Sequence, residues 1–233
     1  MNKQYYLAFL SLAFLLPACS RFYAPVLYNN NASYQPKPMS TDEVKSANYV
    51  SEGLEWAPGL DFYDNIYMGQ LSIDRANTFK FITVAYGAFG YAGAYQNTSI
   101  QQGDPNYFSS RSFAGYGGRA AASFFIPLNE RVDFRLIGVE LNYSNEFGDY
   151  SDFRKASRQY SGFHTDINNQ LLSAGLTTEV AWRGRHNPDI HYSLRGYVGK
   201  ALGNHDYNDF VDYDTKSSQY ENINWAASFL HAT

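Results

Sequence analysis

The chain has 233 residues, of which 17% are charged and 18% aromatic, with 21 Tyr, 17 Phe and a formal net charge of -4. That length fits one domain of the barrel or sandwich class, and the lack of basic runs excludes the electrostatic footprint of a nucleic-acid partner. Low charge and many aromatics, without an apolar block after residue 19, are odd for a soluble domain and normal for a membrane-crossing β-sheet, whose signal is alternation and not runs.

The first element in chain order is a targeting segment. Lys3 is the only early charge, and Tyr5 to Leu16 form an apolar core, too short for a spanning helix of roughly 20 residues. This is the secretory pattern, a positive start followed by a short apolar stretch. The stretch closes on Leu16-Pro17-Ala18-Cys19, which resembles the bacterial lipobox. That resemblance implies a lipoprotein signal peptide over 1–18, cleavage before Cys19, and acylation of Cys19 through its sulfur and its new amine, palmitate among the chains. Cys19 is the only cysteine, so no internal disulfide can form in an exported chain that would otherwise permit one. Ser20 stands where an inner-membrane retention signal would look like Asp, which by the same resemblance favours the outer membrane. The acidic residues that mark surface-displayed lipoproteins are missing after Cys19, so the expected anchor lies in the periplasmic leaflet.

Residues 19–45 read as a lipid-anchored tether. "YNNNASYQPKP" is rich in Asn and Pro and has no apolar period, and Thr41-Asp42-Glu43-Val44 has the form of a cap on one helical turn. From residue 46 to 233 the chain breaks into segments of period-two alternation. "ANYVSEGLEW" is a weak first strand. "IYMGQLSIDR" sets Tyr67, Leu71 and Ile73 against Gln70, Ser72 and Asp74, and "FKFITVAYGAFGYAGAY" aligns Ile82, Val84, Tyr86 and Ala88. In "FAGYGGRAAASFFI" the row from Ala114 to Ile126 opposes Gly115, Gly117, Arg119, Ala121 and Ser123. "RVDFRLIGVELNY" changes phase between Leu136 and Val139, which a bulge near Ile137-Gly138 would repair.

The clearest strand is "LSAGLTTEVAWR", with Leu172, Leu176, Val180 and Trp182 on one face and Ser173, Thr177, Glu179 and Arg183 on the other. A helix of period 3.6 would not sort residues this way. "IHYSLRGYVGKA" and a weaker "NINWAASFLHAT" complete eight candidates. Short connections (76–78, 127–130, 184–189) alternate with long ones (96–111, 146–169, 202–221), and a shorter link, 57–63, follows the first strand. The expected fold is therefore all-β: an antiparallel up-and-down β-barrel of about eight strands, with short turns on the periplasmic side and long loops outside. This pattern over 46–233 resembles the small eight-stranded outer-membrane barrel proteins, with a Tyr- and Asn-rich composition like barrels from Bacteroidota. One departure is the ending His231-Ala232-Thr233, where such barrels end on an aromatic residue.

A transmembrane barrel turns its apolar rows to lipid, and one of eight strands has room inside only for side chains. Arg119, Arg135, Glu140, Glu179, Arg183 and Arg195 are then expected to fill the interior as a paired network, a plug and not a pore. Glu52, in line with Val50 and Leu54, is the awkward residue for a lipid face. The resulting expectation is a protein held in the outer membrane from the periplasmic side. It would contact outer-membrane lipids and act as a structural or interaction component, its long loops accessory to an envelope complex. The rival arrangement puts the apolar rows inside as a soluble lipocalin-like calyx for an apolar ligand. A third is a lipid-modifying enzyme using His191 and Ser193, two apart on one face, with a carboxylate. The spacing of Asp206, Asp209, Asp212 and Asp214 would suit Ca²⁺, but a solvated acidic loop explains it as well. No catalytic residue, metal or cofactor is assigned.

Overall fold

The computed structural model describes residues 21–28, 34–58, 64–97, 107–158, 163–187, 190–203 and 224–229. Cys19, the four aspartates of the acidic loop, and the ending 230–233 lie outside them. Eight strands form one antiparallel sheet: β2 (Ser46–Pro58), β3 (Asn65–Thr78), β4 (Ile82–Gln96), β5 (Ser110–Asn129), β6 (Val132–Phe147), β8 (Gln170–Arg183), β9 (His191–Leu202) and β10 (Asn224–Phe229). Each pairs with its neighbours in chain order, from β2 at one edge to β10 at the other. Two short strands, β1 (Arg21–Tyr23) and β7 (Phe163–Thr165), pair in parallel beside it, and one helix, α1 (Asp149–Ser157), follows β6. The fold is thus all-β with a single meandering sheet. Among the described pairings β2 and β10 remain its edges, so the all-β expectation holds and the sheet is not closed into the expected barrel there.

Alternation explains both the pairing and the curl. Leu71 and Ile73 on β3 are exposed while Gln70, Ser72 and Asp74 are buried, and the same two-residue rhythm runs through β5, β6, β8 and β9. Between Arg135 and Gly138 the β6–β8 register slips, leaving both Leu136 and Ile137 exposed. This is the bulge that the phase change in "RVDFRLIGVELNY" requires. The sheet wraps its polar face: Gln35 bonds Asp74 on β3, and Lys37 reaches Glu179 on β8, four places away in strand order, roughly 19 Å along a flat sheet.

Inward glycines make room for rings on adjacent strands. A Cβ on Gly199 would sit 2.1 Å from the Tyr197 hydroxyl, and one on Gly175 would sit 2.4 Å from the same ring. Tyr197 therefore lies flat over two strands in space that only glycine leaves. Gly199→Ala is expected to destabilise by about 1–3 kcal/mol through overpacking, read as a lower urea midpoint of the folded protein; an unchanged midpoint would show that the ring has room to shift.

The amino-terminal segment departs most from the sequence expectation. Residues read as a solvated tether are packed against the inward face: Val26, Tyr28, Gln35, Lys37 and Met39 are all buried, Met39 completely. The single helical turn expected from Thr41 is not formed; Asp42 instead accepts the Met39 amide through its side chain at 2.7 Å. From Tyr34 the segment lacks an apolar period because it meets polar and charged side chains of the sheet, while Val26 and Tyr28 pack in apolar clusters.

Candidate functional site

Two surfaces carry the chemistry of this chain, the filled interior and the outward rows. The interior holds ion pairs of side chains that are almost wholly buried. Arg119 on β5 reaches across β4 to Asp74 on β3, with Nε on Oδ1 at 2.9 Å and Nη2 on Oδ2 at 2.5 Å. Asp74 also accepts from Gln35 at 2.8 Å and from the Ser72 hydroxyl at 2.9 Å. Arg195 on β9 donates to Glu140 on β6 at 2.5 Å, and Asn142 donates to the other oxygen of that carboxylate at 3.2 Å.

Glu179 draws its partners from both the sheet and the amino-terminal segment. Arg135 donates to its Oε1 at 2.5 Å, the Tyr34 hydroxyl to the same oxygen at 2.6 Å, and Lys37 to Oε2 at 3.2 Å. Nη2 of Arg135 donates to the carbonyls of Lys37 and Pro38 at 3.1 and 3.2 Å. Here the amino-terminal segment and the sheet form one unit. Charges this buried are held because each is paired and hydrogen-bonded.

Of the six residues expected inside, the structure places Arg119, Arg135, Glu140, Glu179 and Arg195 on buried inward rows. They pair as Arg119 with Asp74, Arg135 with Glu179 and Arg195 with Glu140. Arg183 lies apart, at the short-turn end and partly exposed, where it pairs with Asp42. Asp74, Asp133, Tyr34, Gln35 and Lys37 were missed as interior members. Asp74 was legible in principle, since it shares a face with Gln70 and Ser72 and an inward Arg119 needs a partner. The other end is sealed by aromatics. Tyr95 stacks on Tyr150 of α1 with centroids 4.3 Å apart, and Tyr23 packs edge-on to Tyr95 and Phe153. Burial pushes the Tyr150 phenol well above its ordinary range. Arg154 of α1 donates to Glu146 at 2.8 Å and to the Asn168 carbonyl at 3.0 Å, tying the helix to the chain that follows it.

Among the described residues, two water-sized spaces lie inside. One is lined by Leu27, Gln70, Phe89, Asn142, Ser144 and Ser173, another by Tyr34, Lys37, Met39 and His191 among others. His191 points its Nε2 to Asp42 at 3.7 Å, while Ser193 is buried on the same face. Among the described residues no three His, Cys, Asp or Glu side chains gather as a metal-binding group.

The outward rows are the reverse. Val50 and Leu54 are 81% and 94% exposed, and Leu71, Ile73, Phe124, Val139, Leu176 and Val198 are exposed with them. The register aligns these rows: Leu141 lies opposite Ala120 and Ala174, and Leu176 opposite Val139 and Val198. Tyr67, Tyr116 and Tyr143 lie toward the long-connection end, and Trp182 stacks on Tyr192 at the short-turn end. Glu52 interrupts the apolar row of β2, and Arg75 is drawn aside to Asn48 and Ser46. Among the described residues no helix is long and apolar enough to cross a membrane. No protein-family model, curated protein or solved structure matches the chain.

Proposed function

We propose that this chain is a lipid-anchored outer-membrane β-barrel protein with a structural or interaction role, in which β2 and β10 close the curled sheet, the outward rows meet acyl chains, and Cys19 carries the lipid. The observation that carries the reading is the sorting of side chains. Greasy residues stand on the outside while paired Arg, Lys, Asp and Glu crowd the middle, the inverse of a water-soluble sheet and the arrangement a hydrocarbon solvent demands. Strands of 12–16 residues, with β5 at 20, exceed the roughly 9–11 that a tilted span needs. Aromatic residues toward both ends of the outward rows suit the two membrane–water boundaries. Six described residues of the final strand leave the seam to be formed by β2 and β10, and closure would satisfy both exposed edges.

The buried ion pairs on the inward face support a plug over a channel or a calyx for an apolar ligand. A calyx would need the rows of Leu176 and Leu194 to line a cavity, and both are exposed. A hydrolase would need His191 at the membrane boundary beside an accessible nucleophile; its neighbour Ser193 is buried. The role is thereby left to what the ends present, the long connections and α1, to an envelope partner.

Replacing Cys19 by Ala tests the spanning part. The variant is expected to stay with membranes through an alkaline carbonate wash and to leave only with detergent, because the sheet itself holds it. Release into buffer would show that the lipid alone was the attachment and would remove the proposal.

A further inference from the structure

We infer that the amino-terminal segment threads the curled sheet from end to end, so that the chain before Arg21 emerges on the side of the long connections, opposite the short turns. This rests on the spanning reading and reverses the sidedness expected from the sequence, in which the anchor and the start of β2 share a side.

Both ends of the passage are fixed by contacts. At the long-connection end, the Asn97 amide donates to the Tyr23 hydroxyl at 3.0 Å, the Asp166 amide to the Tyr23 carbonyl at 2.8 Å, and the Tyr150 hydroxyl to the Ala24 carbonyl at 3.0 Å. The Val26 amide donates to Glu146, near the end of β6, at 2.8 Å. At the opposite end, Ser40 donates through its amide and hydroxyl to Asp133, at the start of β6, both at 2.5 Å. Thr41 reaches the carbonyl of Glu130 in the β5–β6 turn, and Asp42 meets Arg183 at the end of β8. Glu146 and Asp133 lie thirteen positions apart on one strand, roughly 43 Å of rise along it, and the two halves of the segment bond to one each.

Between these ends, residues 35–39 are buried inside. Lys37 is 6% exposed and bonded to Glu179, and Gln35 is bonded to Asp74; a segment lying on the outward rows would touch neither. Cys19 precedes Arg21 by two residues, a reach of about 7 Å. In a barrel whose longer connections face outward, the acyl chains on Cys19 would enter the outer leaflet, on the side of α1. The partner-facing end and the anchor would then belong to the same surface.

Three positions in the full-length protein in intact cells decide this. A peptide tag placed directly before Arg21 is probed with antibody. Tyr107→Cys at the long-connection end and Lys80→Cys at a short turn are probed with a membrane-impermeant maleimide, with Arg131→Cys as a second turn position should Lys80→Cys fail to accumulate. Both residues at the turns are exposed. The tag is expected to be accessible together with Tyr107→Cys, with nearly all labelling lost at the turn until cells are permeabilised. A tag that groups with the turn, against Tyr107→Cys, overturns the threading and leaves the spanning reading standing. Equal access at turn and long-connection positions overturns the spanning reading, and the opposed sides with it.

Discussion

Glu179→Leu is expected to destabilise the protein by about 3–5 kcal/mol, the scale for removing one partner of a buried charge pair. The change leaves Arg135 and Lys37 facing each other without their shared carboxylate, and it strips the Tyr34 hydroxyl of its acceptor. The loss should appear as a lower urea midpoint in detergent or lipid vesicles, and as new protease cleavage between residues 34 and 45. Glu179→Gln keeps the shape and an acceptor for Tyr34, and should fall between the two. Changing Lys37, Arg135 and Glu179 together to Met, Met and Leu removes the unpaired charges and should recover part of the loss; Arg135 also holds the Lys37 and Pro38 carbonyls, so recovery should stop short of the parent. A Glu179→Leu protein as stable as the parent would mean that the amino-terminal segment is not held where it lies here.

Leu176→Arg carries the second large effect. Leu176 is 54% exposed in the middle of β8. In water such a substitution would be neutral or would improve solubility. Against hydrocarbon it should cost about 2–4 kcal/mol at mid-depth and about 0–1 near an interface. Leu128→Arg, at the short-turn end of β5 and equally exposed, supplies the shallow comparison. Folding yield into lipid vesicles, followed by urea unfolding, should therefore separate the two variants clearly. Equal behaviour of both would mean that the outward rows do not face a membrane interior.

Much of the sheet was legible because its period is two and its faces differ in chemistry. "LSAGLTTEVAWR" could be read row by row, and the phase slip after Leu136 located the bulge. Strand ends were less legible: β3 runs to Thr78 and β5 to Asn129, because the pairing continues into residues that look like turns on their own. The interior was half legible. Arg119, Arg135, Glu140, Glu179 and Arg195 declare themselves by breaking apolar strands on one face. Their partners Gln35 and Lys37 do not, since they sit in an Asn- and Pro-rich stretch with no rhythm, and only three-dimensional placement shows what a sequence without a period is packed against. α1 was hidden in the long connection after β6, where "DYSDFRKAS" is too short and too polar to show an apolar stripe.

The passage of residues 34–42 through the interior has a consequence for assembly. These residues precede every strand of the large sheet in the chain, and their bonds reach β3, β6 and β8. If β2 and β10 close as proposed, the arm ends up enclosed by strands that all follow it in the chain. In that arrangement the arm would serve as a mandrel for the strands that wrap around it. Contacts so distant in sequence are slow to form, and until the arm is in place Glu179 lacks the Lys37 ammonium and the Tyr34 hydroxyl.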